Sequence, residues 1–275
     1  MKVNSNWSVL LFMLGMPNIN NAQTKDYNDF VIIVTSYNNA KYYQKNLASI
    51  LNQKYPVSHF RIIYTDDCST DGTASLVKEY ISNCGGGVRF DLFTNEYRKC
   101  CLENHYNMLE LCQSNEVAIL VDGDDFLVGE DVLDTVNDVY QRPEIVLTYG
   151  QYKAYTANNR TYAGICKRIP DNVVNNKAYR QYFKDNMFCA SHLKTFKVGL
   201  FNKICISNLQ RNGKFFPLAG DVALMCSLLE KSEGKFIFID KVLYGYNTYN
   251  PLNTFKIYNK STILNSIYNI KENLI

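Results

Sequence analysis

The chain has 275 residues, 47% of them apolar, with 29 basic and 26 acidic side chains and a formal net charge of +3. That length and apolar content allow one large domain or two small ones around a sizeable core. The near-neutral balance and the lack of a Lys/Arg-rich block exclude the electrostatic footprint of a nucleic-acid binder.

The N-terminus comes first. Lys2 is followed by the apolar stretch WSVLLFMLGM over 7–16, then Pro17 and NINNAQ. One positive charge, a short apolar run and Ala22 as a cleavage residue give 1–23 the form of a secretory signal, which predicts export. The alternative is an apolar segment of a cytoplasmic protein, buried or lying on a membrane. The run is too short to span a bilayer and no later stretch is long and apolar enough, so no transmembrane segment is expected.

A polar linker over 21–29 leads into an alternating pattern. FVIIV (30–34) is a continuous apolar, β-branched run, as a buried parallel strand requires. Over 41–52, Tyr43, Leu47, Ile50 and Leu51 share one helical face. FRIIY (60–64) is a second strand, and Asp71-Gly72 turns into a helix over 73–82. VRFDLF (88–93) is strand-like, 101–112 is helical, VAILV (117–121) is a fourth strand, 131–140 is helical and 144–149 is a further strand. Residues 150–220 are less regular. A helix over 220–230 carries Asp221 in its first turn, and KFIFI (235–239) and VLYGYN (242–247) read as two closing strands. Repeated strand–helix units with short loops predict an α/β fold with a mostly parallel, Rossmann-like sheet flanked by helices. The main domain is expected over 28–250, with a helical tail over 251–275.

Ligands of such sheets bind beyond the carboxyl ends of the strands. Three polar clusters fall there: Thr35–Tyr37, Asp66–Asp71 and Asp122–Asp125. Carboxylates as crowded as those of DGDD (122–125) repel one another unless a cation or a proton neutralises them. Hard divalent ions such as Mn²⁺ and Mg²⁺ take oxygen ligands and keep positions open for substrate phosphates. The competing reading is a solvated Asp/Gly turn. A calcium loop is disfavoured, because Phe126 and Leu127 stand where a third oxygen ligand and a glycine are needed. In YTDDCSTDGT (64–73), Asp66 or Asp67 can accept hydrogen bonds from a ligand while Asp71 turns the chain. Arg98, ahead of the helix at 101, can neutralise phosphate, although alone it reads as a solvated surface cation. His59, His105 and His192 are scattered, and no nucleophile–histidine pair follows from their spacing. None of the nine cysteines falls in a C-x-x-C pair, so they read as small hydrophobes, with one or two disulfides if the protein is exported.

The ordered set of YNN, DDCSTDGT and DGDD, with the strand-rich stretches between, resembles the opening of the family 2 glycosyltransferases over roughly 30–150. LTYGQY, SHLKTF and LAGDVALM resemble later landmarks of one branch. The resemblance implies a GT-A fold and a metal-dependent transfer of sugar from a nucleoside-diphosphate donor, most often a UDP-sugar. The acceptor would be a saccharide, lipid or protein hydroxyl, and the anomeric carbon would be inverted. By position, it implies that Thr35 and Tyr37 line the nucleotide pocket and that Asp66 or Asp67 meets the base. Arg98 would approach the diphosphate. Asp122 would touch ribose or Mn²⁺/Mg²⁺, Asp124 would bind that metal, and Asp221 would be the general base. The family's Glu-Asp pair is Gly220-Asp221 here. The Q-x-x-R-W motif of processive synthases is absent, which predicts a non-processive enzyme. Two other classes compete. An aspartate-nucleophile phosphatase would want Ser or Thr where Phe126 stands and its motif on the first strand. A non-catalytic sugar- or nucleotide-binding module would not need Asp122, Asp124 and Asp221 together.

Overall fold

The computed structural model describes residues 25–158 and 160–272, so the predicted signal over 1–23 lies outside the described residues. The first half alternates strand and helix: β1 (Phe30–Ser36), α1 (Tyr43–Leu51), β2 (Phe60–Asp66), α2 (Thr73–Cys84), β3 (Arg89–Thr94), α3 (Cys101–Leu109) and β4 (Val117–Asp122). Next come β5 (Phe126–Leu127), α4 (Val132–Tyr140), β6 (Leu147–Tyr155), β7 (Thr161–Ala163), α5 (Asp171–Asn175) and α6 (Tyr179–Asp185). The last third holds β8 (Lys194–Lys197), α7 (Val198–Phe201), β9 (Gln210–Arg211), β10 (Lys214–Phe215), α8 (Gly220–Lys231), β11 (Phe236–Asn247), α9 (Thr254–Ile257) and α10 (Lys260–Glu272).

The main sheet runs β3-β2-β1-β4-β8-β6-β11-β5, with β7 on β6. β3, β2, β1 and β4 are parallel, and so are β6 and β11. The reversed strand β8 joins the two groups by pairing antiparallel with both β4 and β6. All seven residues of β1 are buried, and alternate side chains enter separate cores. Val31 and Ile33 pack on the face covered by α3, α6 and α8, while Phe30, Ile32 and Val34 pack against α1, α2 and α4. Burial on both faces is why this strand reads as an unbroken apolar run.

Two features of the second half differ from the sequence reading. The stretch read as two strands, 235–239 and 242–247, is the single strand β11, and the polar pair Asp240-Lys241 is absorbed by register shifts between Ile239 and Tyr244. Residues 150–220 contain β8, which four residues of KTFK did not announce. Beyond Pro251, α10 packs on α6 and α8 and buries Ile263 and Ile270. Arg180 pairs with both carboxylate oxygens of Glu230 and donates to the Ile270 carbonyl at 3.1 Å.

Candidate functional site

The sheet order reverses between β1 and β4, because β2 and β3 lie on one side of β1 and the chain then returns to the other. Such a switch point opens a crevice at the strands' carboxyl ends. The register places all three polar clusters on its rim: Thr35 pairs with Asp122, Ser36 with Asp66, and Asp66 with Thr94.

The acidic turn is built by close approach. Gly123 donates its N–H to the Thr35 carbonyl at 2.9 Å. A Cβ at Gly123 would lie 2.7 Å from Asn39 Nδ2 and from Ser36 Cβ, so only glycine lets the turn lie this close to β1. The fully buried Asn46 on α1 braces it, donating from Nδ2 to the carbonyls of Asp122 and Asp125 at 3.0 and 2.9 Å.

The three aspartates then divide. Asp125 is buried and accepts from the Tyr244 hydroxyl and the Asn247 N–H, both at 2.7 Å. It pins β11 to the turn, and burial followed by the neighbouring carboxylates pushes its pKa well up. Asp124 accepts from Asn250 Nδ2 at 2.7 Å. Burial raises its carboxyl, the Asn250 bond opposes that, and the Asp122 charge adds to it, leaving a pKa of about 6. Asp122 is raised by burial, lowered by Lys194 and raised by Asp221. Asp221 sits in the first turn of α8, where the helix N-terminus favours a carboxylate. Gly220 precedes it because a Cβ there would lie 2.7 Å from Leu102 Cβ on α3. The position where the resemblance expects glutamate is therefore closed to any side chain.

Asp66, Asp67, Arg98 and Tyr37 form a second group. Asp66 accepts from the Ser69 N–H at 3.0 Å and the Ser69 hydroxyl at 2.5 Å. Asp67 accepts from Asn95 Nδ2 at 2.8 Å, the Lys99 N–H at 2.9 Å and Arg98 Nε at 3.0 Å. Both carboxylates are buried and engaged by protein donors, so they shape the pocket wall. The Arg98 guanidinium lies 3.3 Å from the centroid of the Tyr37 ring. Asp67, Arg98 and Tyr37 thus form one stack at the crevice mouth, and the half-exposed Arg98 side chain keeps donors free for an anion.

Several crevice residues escaped the sequence reading. Lys194 begins β8 beside Leu120 and is 97% removed from solvent; among the described residues no carboxylate pairs with it. The only sequence signal was a lysine inside the apolar stretch CASHLKTF. Thr35 Oγ1 lies 3.3 Å from Cys101 Sγ and 3.5 Å from His105 Nε2. Burial, then Lys194, holds the His105 imidazole down to about 3, so it is neutral at pH 7. Cys101, His105 and Asp122 each offer a ligand atom within 4.8 Å of the others. That sulfur–nitrogen–oxygen set suits zinc rather than manganese or magnesium. The oxygen pair Asp122 and Asp124 suits Mn²⁺ or Mg²⁺. His192 lies over Tyr244, ring centroids 4.4 Å apart, and serves packing.

An open, mostly parallel α/β sheet with an acidic turn at its switch point defines the GT-A class of fold. A crystal structure of Staphylococcus aureus TarS, residues 1–349, in complex with UDP-GlcNAc superposes with a TM-score of 0.59 at 20% identity, over 80% of this chain and 58% of that one. The mannosyltransferase PcManGT from Pyrobaculum calidifontis, in complex with GDP-Man and Mn²⁺, gives 0.54 at 17% identity, over 84% and 59%. The sequence profile of glycosyl transferase family 2 matches residues 31–205, and the chain belongs to that family. Poly(ribitol-phosphate) beta-N-acetylglucosaminyltransferase TarS of S. aureus strain Mu50 is 41% identical over 51 residues, 18% of this chain and 9% of that protein. The Bacillus subtilis teichuronic acid biosynthesis glycosyltransferase TuaG, an assignment itself provisional, is 41% identical over 49 residues, 18% and 19% of the two chains. This chain spans less than two thirds of each of these relatives.

Proposed function

We propose that the chain is a non-processive, metal-dependent glycosyltransferase that moves a sugar from a nucleoside diphosphate, in the first instance UDP, to an acceptor hydroxyl with inversion. The observation that carries the reading is the crevice itself: Asp122, on the acidic turn with Asp124, lies close enough to Asp221 on the α8 N-terminus to feel its charge. Family membership and the nucleotide sugars bound by the two solved neighbours support the donor class.

Thr35 and Tyr37 line the nucleotide pocket, Asp66 and Asp67 shape its wall, and Arg98 reaches the diphosphate. Mn²⁺ or Mg²⁺, held by Asp122 and Asp124, would supply Lewis-acid stabilisation of charge on the leaving diphosphate. Asp221 takes the proton of the acceptor hydroxyl as its oxygen bonds to the anomeric carbon and the bond from that carbon to the diphosphate breaks. A base opposite the leaving group is what single displacement with inversion requires.

The test is release of free nucleotide from a panel of UDP-, GDP- and TDP-sugars by the full chain with Mn²⁺, with and without EDTA. Turnover of at least one donor, abolished by EDTA, is expected. Binding and hydrolysis of none would overturn the reading. Asp221→Asn should bind the donor as before and lose about 10²–10⁴-fold in transfer; normal transfer would remove Asp221 as the base.

A further inference from the structure

A cationic furrow borders the crevice where the N-terminus of α3 faces the β9–β10 hairpin. Two cavities of about 440 and 390 Å³ adjoin there and share Lys214, Phe215 and Pro217. Their walls carry four cations, Arg98, Lys99, Arg211 and Lys214, against one carboxylate, Glu103. Arg98 pairs with Asp67. Among the described residues no ion pair engages Lys99, Arg211 or Lys214.

The hairpin holds two of these charges against their own repulsion. Asn212 and Gly213 have φ of 53° and 74°, the positive pair that a two-residue type I′ turn needs. That turn sets Arg211 directly opposite Lys214. Like charges facing across a ladder are destabilising, and an anion between them would relieve the pair. The ring of Phe215, 5.3 Å from that of Tyr106, anchors the hairpin to α3 and gives the furrow an apolar floor. From Pro217 the chain needs four residues to reach Asp221, so the furrow ends within about 15 Å of the proposed base.

We propose that this furrow is the acceptor subsite and binds a polyanionic glycan or polyol chain, its phosphate or carboxylate groups on Arg211, Lys214 and Lys99 and a hydroxyl presented to Asp221. The proposal rests on the glycosyltransferase reading. Anionic groups spaced along a polymer match cations spaced along a furrow, and the apolar floor fits the C–H faces of sugar or polyol units.

Binding of the full chain to three hexamers is measured by calorimetry: a phosphodiester-linked glycerol phosphate, an oligogalacturonate and neutral maltohexaose. At least one anionic hexamer should bind, more weakly as salt rises, and maltohexaose should not. The anionic hexamer that binds more tightly identifies phosphate or carboxylate as the group recognised. The doubly reversed variant Arg211→Glu/Lys214→Glu should lose at least tenfold in affinity for that hexamer, with circular dichroism and UDP-sugar binding unchanged. Equal binding of maltohexaose, or less than threefold loss in the variant, overturns the proposal. The donor screen reads out separately: an intact protein that turns over donors but ignores anionic hexamers sinks the subsite alone. One that binds the hexamers but no donor sinks the transferase reading.

Discussion

Gly123 shows how tightly the crevice is specified at the level of one residue. Adding a single methyl group there brings it to 2.7 Å from Asn39 Nδ2 and Ser36 Cβ, both on buried residues with little room to retreat. Gly123→Ala should therefore cost about 1–3 kcal/mol in urea denaturation and weaken donor binding by moving Asp122 and Asp124 off the rim. Unchanged donor affinity would mean that the turn relaxes without consequence. The neighbouring carboxyl gives a second expectation. Burial and the Asp122 charge push the Asp124 carboxyl up to about 6, so an Mn²⁺ ion bound there as proposed would have to displace a proton below this point. Mn²⁺ affinity should rise as pH increases from 5 towards 7 and then level, with protons released on uptake at pH 6. Calorimetry in two buffers of different ionisation heat checks this, and a flat affinity over that range would exclude it. Asp122, Asp124 and Asp221 were legible in the sequence because carboxylates at strand and helix ends stand out. Lys194 and Asn250 were not. Their importance lies in which carboxylate they face, and that is fixed by contacts across more than seventy residues.

At the level of elements, the parallel strands were readable because burial on both faces leaves no polar residue to break their pattern. β8 was not, since Lys194 and Thr195 interrupt its apolar character and its length is four residues. The helices α1, α2 and α4 declared themselves by one-sided apolar faces. Arg61 on β2 and Glu116, just before β4, form a buried ion pair. Arg61 donates to Glu116 through Nε at 2.6 Å and Nη2 at 2.9 Å, and the Gln113 N–H reaches the same carboxylate at 2.6 Å. Burial pushes the Glu116 carboxyl up, but these bonds outweigh it and the net shift is downward. A carboxyl depressed on folding contributes stability that is full above its unfolded pKa, about 4.3, and lost as pH falls through the folded value. Glu116→Gln should cost about 3 kcal/mol at pH 7 by leaving Arg61 buried without its main counter-charge. The variant should also lose less stability than the parent on acidification below about pH 4. Denaturant titrations at pH 7 and pH 3 measure both, and a parallel decline of the two proteins would remove the pair from the account.

For the molecule as a whole, two apolar cores on either side of one sheet leave the crevice as the place where polar groups converge. None of the nine cysteines, all among the described residues, is in a disulfide, and only Cys166, Cys189 and Cys226 are buried. The sequence reading of small core hydrophobes thus holds for three of them; the rest lie at helix ends and loops, where spacing gives no sign of exposure. The fold class was legible from the alternation of its elements. The hairpin at 210–215 carried a local Asn-Gly signal, but its meaning depends on α3 lying opposite.

The fastening of β11 to the acidic turn has a consequence for the growing chain. Asp125 depends on the Asn247 N–H, 122 residues downstream. At roughly 5–20 residues per second, a ribosome needs about 6–25 s to make that stretch. During this interval the nascent chain carries a crowded acidic loop with its clasp still unmade. The acidic turn is thus among the last parts of the molecule to be completed, and a polypeptide released before Asn247 would have its β1–β3 rim but an acidic turn without this clasp.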